Sequence, residues 1–130
     1  MSDSFFTKHY IALAKMINNL EITDEFINLL SEEIIYESQW VFTSLEGKTK
    51  YLEYLRGKNK TIKDSNFTVY AELGKIHAWR SKQCVIIAQG AKDDLQGLMF
   101  LDIKEDLITR IDMCAVPRPE SAKRTGIYPK

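Results

Sequence analysis

The order of hydrophobic periodicities between Thr23 and Ile62 constrains this chain more than any other feature. A short helical piece, DEFINLLSE, runs directly into an apolar-aromatic strand, IIYESQWVF, predicted over 34–42. The chain then turns at Leu45-Glu46-Gly47 into a Tyr/Leu-rich helix, KTKYLEYLRGKNKTI. Thr23 is placed to cap the short helix, with Ile22 before it and Ile27 after it as a hydrophobic staple, and the helix is expected to end near Ser31 to Glu33. Upstream, Phe6, Tyr10, Leu13, Ile17 and Leu20 recur at helical spacing and form one apolar stripe, with Asp3 or Ser4 available as a cap. Downstream, alternation predicts four strands: Phe67 to Leu73, Gln83 to Gln89, Gly97 to Ile103 and Leu107 to Cys114. Their short connections favour an antiparallel meander, because a parallel crossover needs about a dozen residues. Helices followed by strands is an α+β layout.

A chain of 130 residues, 45% of them hydrophobic and 28% charged, is expected to form one domain with a real core. Eighteen basic residues balance eighteen acidic ones, so no net field attracts a polyanion and no nucleic-acid partner is expected. The longest apolar runs fall far below the ~20 residues of a membrane helix, so no membrane partner is expected either. The opening MSDSFFTK lacks the basic and apolar regions of a secretory signal. Cys84 and Cys114 do not have metal-site spacing, which points to a cytoplasmic protein with free, buried thiols. No phosphate loop, metal-spaced cluster or serine elbow is present, so no cofactor is expected. Residues 116–130 hold all three prolines and read as an extended tail packed on or near a domain spanning 1–115, since Ile127 and Tyr128 are worth burying.

Along the first strand, Ile34, Tyr36, Ser38, Trp40 and Phe42 point one way, and Ile35, Glu37, Gln39 and Val41 the other. The first set has more aromatic area and is assigned to the interior, although a slip of one residue would exchange the faces. Tyr36, Trp40, Tyr51 and Tyr54 then form a candidate ligand wall, since each ring brings apolar area and most add one polar atom; ordinary core packing is the competing reading. Glu37, Glu72, Arg110 and Asp112 form a possible cross-strand charged row. An acid held there in an apolar setting could transfer protons, Asp112 being the first choice and Glu37 the second, against the simpler reading of exposed surface pairs. His77, Trp79 and Arg80 occupy a hairpin connection, and a lone His lacks the companions a metal needs. Lys48, Lys50, Arg56, Lys58, Lys60 and Lys63 make the third helix region basic and could recognise an anionic ligand, but they do not lie along one helical face, and solvated surface is the preferred reading.

The order of these elements resembles the nuclear transport factor 2-like superfamily, the cystatin-like α+β cone that includes SnoaL-type polyketide cyclases and ketosteroid isomerase. Glu33-Ile34-Ile35 opens the first strand as in many members. Leu45-Glu46-Gly47-Lys48 resembles the turn into their third helix, and Ile108-Thr109-Arg110-Ile111 their closing strand. The resemblance implies N-terminal helices packed in the concave face of a strongly curved antiparallel sheet, a cone with an internal pocket. Ser38 or Glu37 falls near the isomerase's inward-facing Asp, but no catalytic set carries over residue by residue. The expected function is a small-molecule-binding domain with an apolar, aromatic pocket contacted by Tyr36, Ser38, Trp40, Tyr51, Tyr54 and Asp112. The alternatives are an isomerase, cyclase or dehydratase using a pocket carboxylate, and a non-catalytic dimerisation or docking module. Both strand parities carry apolar residues, as in Val85 and Ile87 against Cys84 and Ile86. A second copy covering the outer face, hence a homodimer through the sheet, is therefore expected.

Overall fold

The computed structural model describes residues 6–40, 43–77 and 83–130. Helix α1 (Lys8–Asn19) carries the predicted stripe and stops at Leu20, whose φ of 51° reverses the chain. Helix α2 (Asp24–Asn28) is capped by Thr23, whose Oγ1 accepts the Phe26 N–H at 3.2 Å. It ends sooner than the pattern suggested, because the chain is claimed by strand β1 (Leu30–Ser38). Leu30 pairs with Ile108, and the Ile108 N–H donates to the Leu29 carbonyl at 2.7 Å, with a register break before Ile35. Val41 and Phe42, at the end of the predicted strand, lie outside the described residues, as do Trp79 and Arg80.

A two-residue strand β2 (Leu45–Glu46) leads to Gly47, whose φ of +101° suits glycine alone and starts helix α3 (Lys48–Ser65). The helix passes unbroken through exposed Gly57, and Asn66 ends it in the left-handed conformation. Then follow β3 (Val69–Lys75), β4 (Gln83–Gln89), β5 (Leu95–Lys104), β6 (Leu107–Cys114), a single 3₁₀ turn (Pro119–Ser121) and β7 (Lys123–Arg124).

Among the described residues the sheet has seven strands in the order β2-β1-β6-β5-β4-β3-β7. Strands β3 to β6 form the expected antiparallel meander, but β1 lies parallel to β6, so the sheet is mixed. Helix α3 and the meander supply a connection long enough for that parallel pairing. One face carries the helices: Leu13, Ala14, Phe26, Leu52 and Leu55 pack with Ile34, Leu73, Val85, Leu101 and Ile111 in one buried cluster. Tyr10 ties α1 to β5 through its hydroxyl, which accepts the Leu101 N–H at 3.0 Å.

The other face is also apolar, and the chain covers part of it itself. Cys84, Ile86, Leu98, Phe100 and Cys114 form a second buried cluster with Ala122, and the 3₁₀ turn lies against β5. Part of the cover that the sequence assigned to a second copy is thus supplied by Ala122 and the 3₁₀ turn, while Ile127 packs against the helix-side cluster. Strand β3 would otherwise expose its edge. Instead β7 pairs with Gly74 and Lys75, the Leu73 N–H donates to the Ile127 carbonyl at 2.9 Å, and the Asn18 amide brackets Ala71. Asn18 also donates to the Pro129 carbonyl at 2.7 Å.

The tail is fastened at Glu72, a carboxylate only 2% exposed. Its Oε1 accepts from Arg124 Nε at 2.8 Å and from the Tyr128 hydroxyl at 3.2 Å, while Oε2 accepts the Gly126 N–H at 2.7 Å. A buried charge is tolerable only when its lone pairs are matched in this way. Glu72 therefore stands apart from the charged row in which the sequence placed it. No helix among the described residues is long and apolar enough to cross a membrane.

Two expectations follow. Arg124→Met leaves the Glu72 carboxylate without its guanidinium and should cost about 2–4 kcal/mol of stability in urea unfolding, discounted from a fully buried pair because Arg124 is partly exposed; a change below about 0.5 kcal/mol would show that the latch does not hold the tail. Burial, with the Glu72 charge second, pushes the Cys84 thiol up to about 12. Its labelling by a thiol reagent at neutral pH should therefore track unfolding, and rapid stoichiometric labelling of the native protein at Cys84 would contradict this burial.

Candidate functional site

The stripe of α3 that faces the sheet repeats at three- and four-residue spacing: Tyr51, Tyr54, Leu55, Lys58, Asn59 and Ile62. Opposite it stand Tyr36 from β1, Ile87 from β4, Met99 from β5 and Met113 from β6. Between these two surfaces lies a cavity of about 740 Å³, closed at one end by Met16 and Ile17 of α1. That volume suits a drug-sized molecule. Met16, Leu55 and Met99 are nearly inaccessible, whereas Trp40, Lys58 and Phe67 are exposed, so the mouth lies along the second half of α3 and the end of β1.

Three phenols meet in this cavity. The Tyr36 ring centroid lies 5.4 Å from that of Tyr51 and 5.3 Å from that of Tyr54, both pairs tilted. Burial raises the Tyr36 phenol well above its ordinary value of 10.0, and the neighbouring Tyr54, through charge proximity and a hydrogen bond, raises it further; a hydrogen bond with Ser38 opposes them. Tyr51 is raised too, by burial first and then by Tyr36 and Tyr54. Its hydroxyl is buried with no hydrogen-bond partner in the protein. Lys58 Nζ donates to the Tyr54 hydroxyl at 3.3 Å and lies 5.6 Å from the centroid of that ring. Tyr36 and Tyr51 are therefore protonated phenols, suited to donating hydrogen bonds and unsuited to abstracting protons at neutral pH.

Trp40 reaches the rim because Gly97 leaves room for it: a Cβ there would come within 2.9 Å of the Trp40 ring, 2.9 Å of Met113 Cε and 2.7 Å of the Cys114 carbonyl. Ser38 does not line the cavity, though it shares the Tyr36 face and bonds its phenol. Asp112 and Glu37, the carboxylates considered for proton transfer, stand on the opposite face of the sheet. Glu37 pairs with Asp112 across β1 and β6, and Asp112 with Phe100 across β6 and β5, a set belonging to the outer surface. There Arg110 Nε donates to Asp112 at 3.0 Å and its Nη2 bonds Glu37. The register that turns Tyr36 inward turns Glu37 outward, since neighbours on a strand face opposite ways. Among the described residues no carboxylate and no histidine lines the cavity, and no three His, Cys, Asp or Glu side chains gather as a metal would need. His77 is exposed.

Sequence reasoning passed over Lys58, Asn59, Met99 and Met113. The signal lay in α3, where Lys58 and Asn59 continue the stripe begun by Tyr51, Tyr54 and Leu55 instead of falling on a separate basic face.

No family model matches the sequence, and no curated protein matches it. Solved structures do. A candidate polyketide cyclase from Sinorhizobium meliloti superposes with a TM-score of 0.60 at 11% identity, over 85% of this chain and 98% of its own. An LEH-like epoxide hydrolase from M. tuberculosis gives 0.53 at 15% identity, over 84% and 85%. A candidate ketosteroid isomerase from Kribbella flavida gives 0.52 at 16% identity, over 80% and 76%. Three helices packed on one face of a bent, unclosed mixed sheet are common to this chain and these proteins, so the chain has their α+β fold.

Proposed function

We propose that this protein is a small-molecule-binding domain whose cavity holds a largely apolar ligand by area and by hydrogen bonds from tyrosine hydroxyls. The observation that carries this reading is an open cavity of about 740 Å³ walled by aromatic and aliphatic side chains, with phenols as its central polar groups. A filled core, which a pure docking module would have, is not what these walls enclose. Proteins of similar fold are named for isomerisation, cyclisation and epoxide hydrolysis. Those reactions are not carried over, because Asp112 and Glu37 are held by Arg110 on the far face, so neither can reach a bound molecule. A fold shared at this level hosts many functions, and the side chains of the site decide between them.

The reading is tested by titrating the protein with N-phenylnaphthylamine, an uncharged apolar dye that brightens when it leaves water. Saturable enhancement is expected, and Ile62→Trp, which puts a larger ring into the wall, should weaken it about tenfold, the loss of roughly 1.4 kcal/mol, while the melting temperature changes little. A wild-type protein that shows no saturable enhancement would sink the proposal. The phenols supply a separate check. In the unfolded chain tyrosines ionise near 10.0, while folded Tyr36 and Tyr51 hold their protons to higher pH. Above that point the folded state binds more protons, so their contribution is complete below pH 10 and stability falls as pH rises, by about 1.4 kcal/mol per pH unit for each such group. Tyr36→Phe should make the alkaline limb of the stability curve shallower; an unchanged limb would show that Tyr36 ionises as freely as a tyrosine in water.

A further inference from the structure

The polar groups around the cavity are unequal in kind, and the imbalance selects a ligand. Lys58 is the one charged side chain among the described lining residues. It is exposed, on the mouth side of α3, and its described partner is a neutral phenol, Tyr54 at 3.3 Å, where neighbouring Lys60 has a carboxylate, Asp64 at 2.9 Å. An ammonium offers only donors, so the Tyr54 oxygen must accept from Lys58. The Tyr36 ring lies against that of Tyr54, centroids 5.3 Å apart. Accepting from Lys58, Tyr54 retains its own proton for a further acceptor. Tyr51 contributes a buried hydroxyl without a protein partner, and the Asn59 amide nitrogen lies 3.8 Å from Met16 Sδ, a weak acceptor. The charge among the described lining residues is of one sign: an ammonium, beside phenolic protons and an amide N–H₂, facing no carboxylate, while Gln89, Gln96, Thr61 and Ser65 add neutral groups that can donate or accept.

A surplus of donors beside one cation is complementary to an anion, and the rest of the wall is complementary to hydrocarbon. We infer that the ligand is an amphipathic acid: an apolar body filling the space between Met16, Leu55, Ile87 and Met99, ending in a carboxylate at the mouth, where Lys58 Nζ and the Tyr54 hydroxyl receive it. This inference rests on the binding function proposed above and adds the chemical class. The cation at the mouth also suits entry, since the charged head need not be carried into the apolar depth, where its desolvation would be costly.

The test compares dodecanoate with dodecanol, two molecules with the same chain and a different head, each displacing N-phenylnaphthylamine from the wild-type protein. Dodecanoate should bind about tenfold more tightly than its bare chain predicts, the scale of one charge-assisted hydrogen bond. Lys58→Met should remove most of that advantage, weakening dodecanoate far more than dodecanol. Lys60→Met, which alters net charge equally but leaves the cavity wall intact, should do neither; an equal effect from both variants would assign the preference to general electrostatics and overturn the inference. Tyr54→Phe should lower dodecanoate affinity more than that of dodecanol, since a charge-assisted hydrogen bond is the stronger one lost. If the dye binds but dodecanol competes as well as dodecanoate, the acid-head assignment falls while the binding function stands. If the dye itself does not bind, both fall together.

Discussion

The register in which β1 lies against β6 decides which side chains line the cavity. Tyr36 pairs with Ile111 and Glu37 with Asp112, so the phenol faces the helices and the carboxylates face away. A shift of β1 by one residue would turn Glu37 into the apolar cavity and Tyr36 outside, while Asp112 on β6 kept its face. Two anchors prevent it. Ile34, fully buried, fills the core beneath α3, and Arg110 holds Glu37 and Asp112 on the outer surface. Apolar burial on one face and ion pairing on the other favour the same register, so the strand is specified twice.

From that register follows the character of the cavity. Phenols in an apolar setting stay protonated because ionisation would place a charge where little can solvate it. At the mouth Lys58 donates to the Tyr54 oxygen and lies over the face of the same ring. The result is a wall that gives hydrogen bonds, backed by methionines whose flexible side chains adapt to different shapes.

Much of the architecture was legible in the sequence. The stripe from Tyr10 to Ile17, the Thr23 cap, the Gly47 turn and the β4 and β6 bounds all arise from local rules, periodicity and backbone conformation, and local rules can be read locally. Tyr36, Trp40, Tyr51 and Tyr54 could be gathered for the same reason, being aromatic residues on one parity of a strand and one stripe of a helix. What stayed hidden is non-local. That β1 would lie parallel to β6, begin at Leu30 and leave Asp112 outside depends on partners more than seventy residues away, as the separation of 73 between Glu37 and Arg110 shows. The anchor of the tail stayed hidden for a related reason. Ile127 and Tyr128 suggested a packed tail, but the contacts that fasten it converge on Glu72, a residue that sequence alone grouped with the wrong charges.

The latch at Glu72 has a consequence for how the chain is made. The Gly126 N–H that completes the carboxylate's bonding is 54 residues downstream of it. During synthesis β3 and β4 are therefore available well before the segment that closes their edge and outer surface. In that interval a bare strand edge lies beside an apolar sheet face, the surface on which growing chains associate with one another. The aggregation risk of this protein is thus greatest in the nascent chain, and it ends when residues 123–128 have been made and have docked.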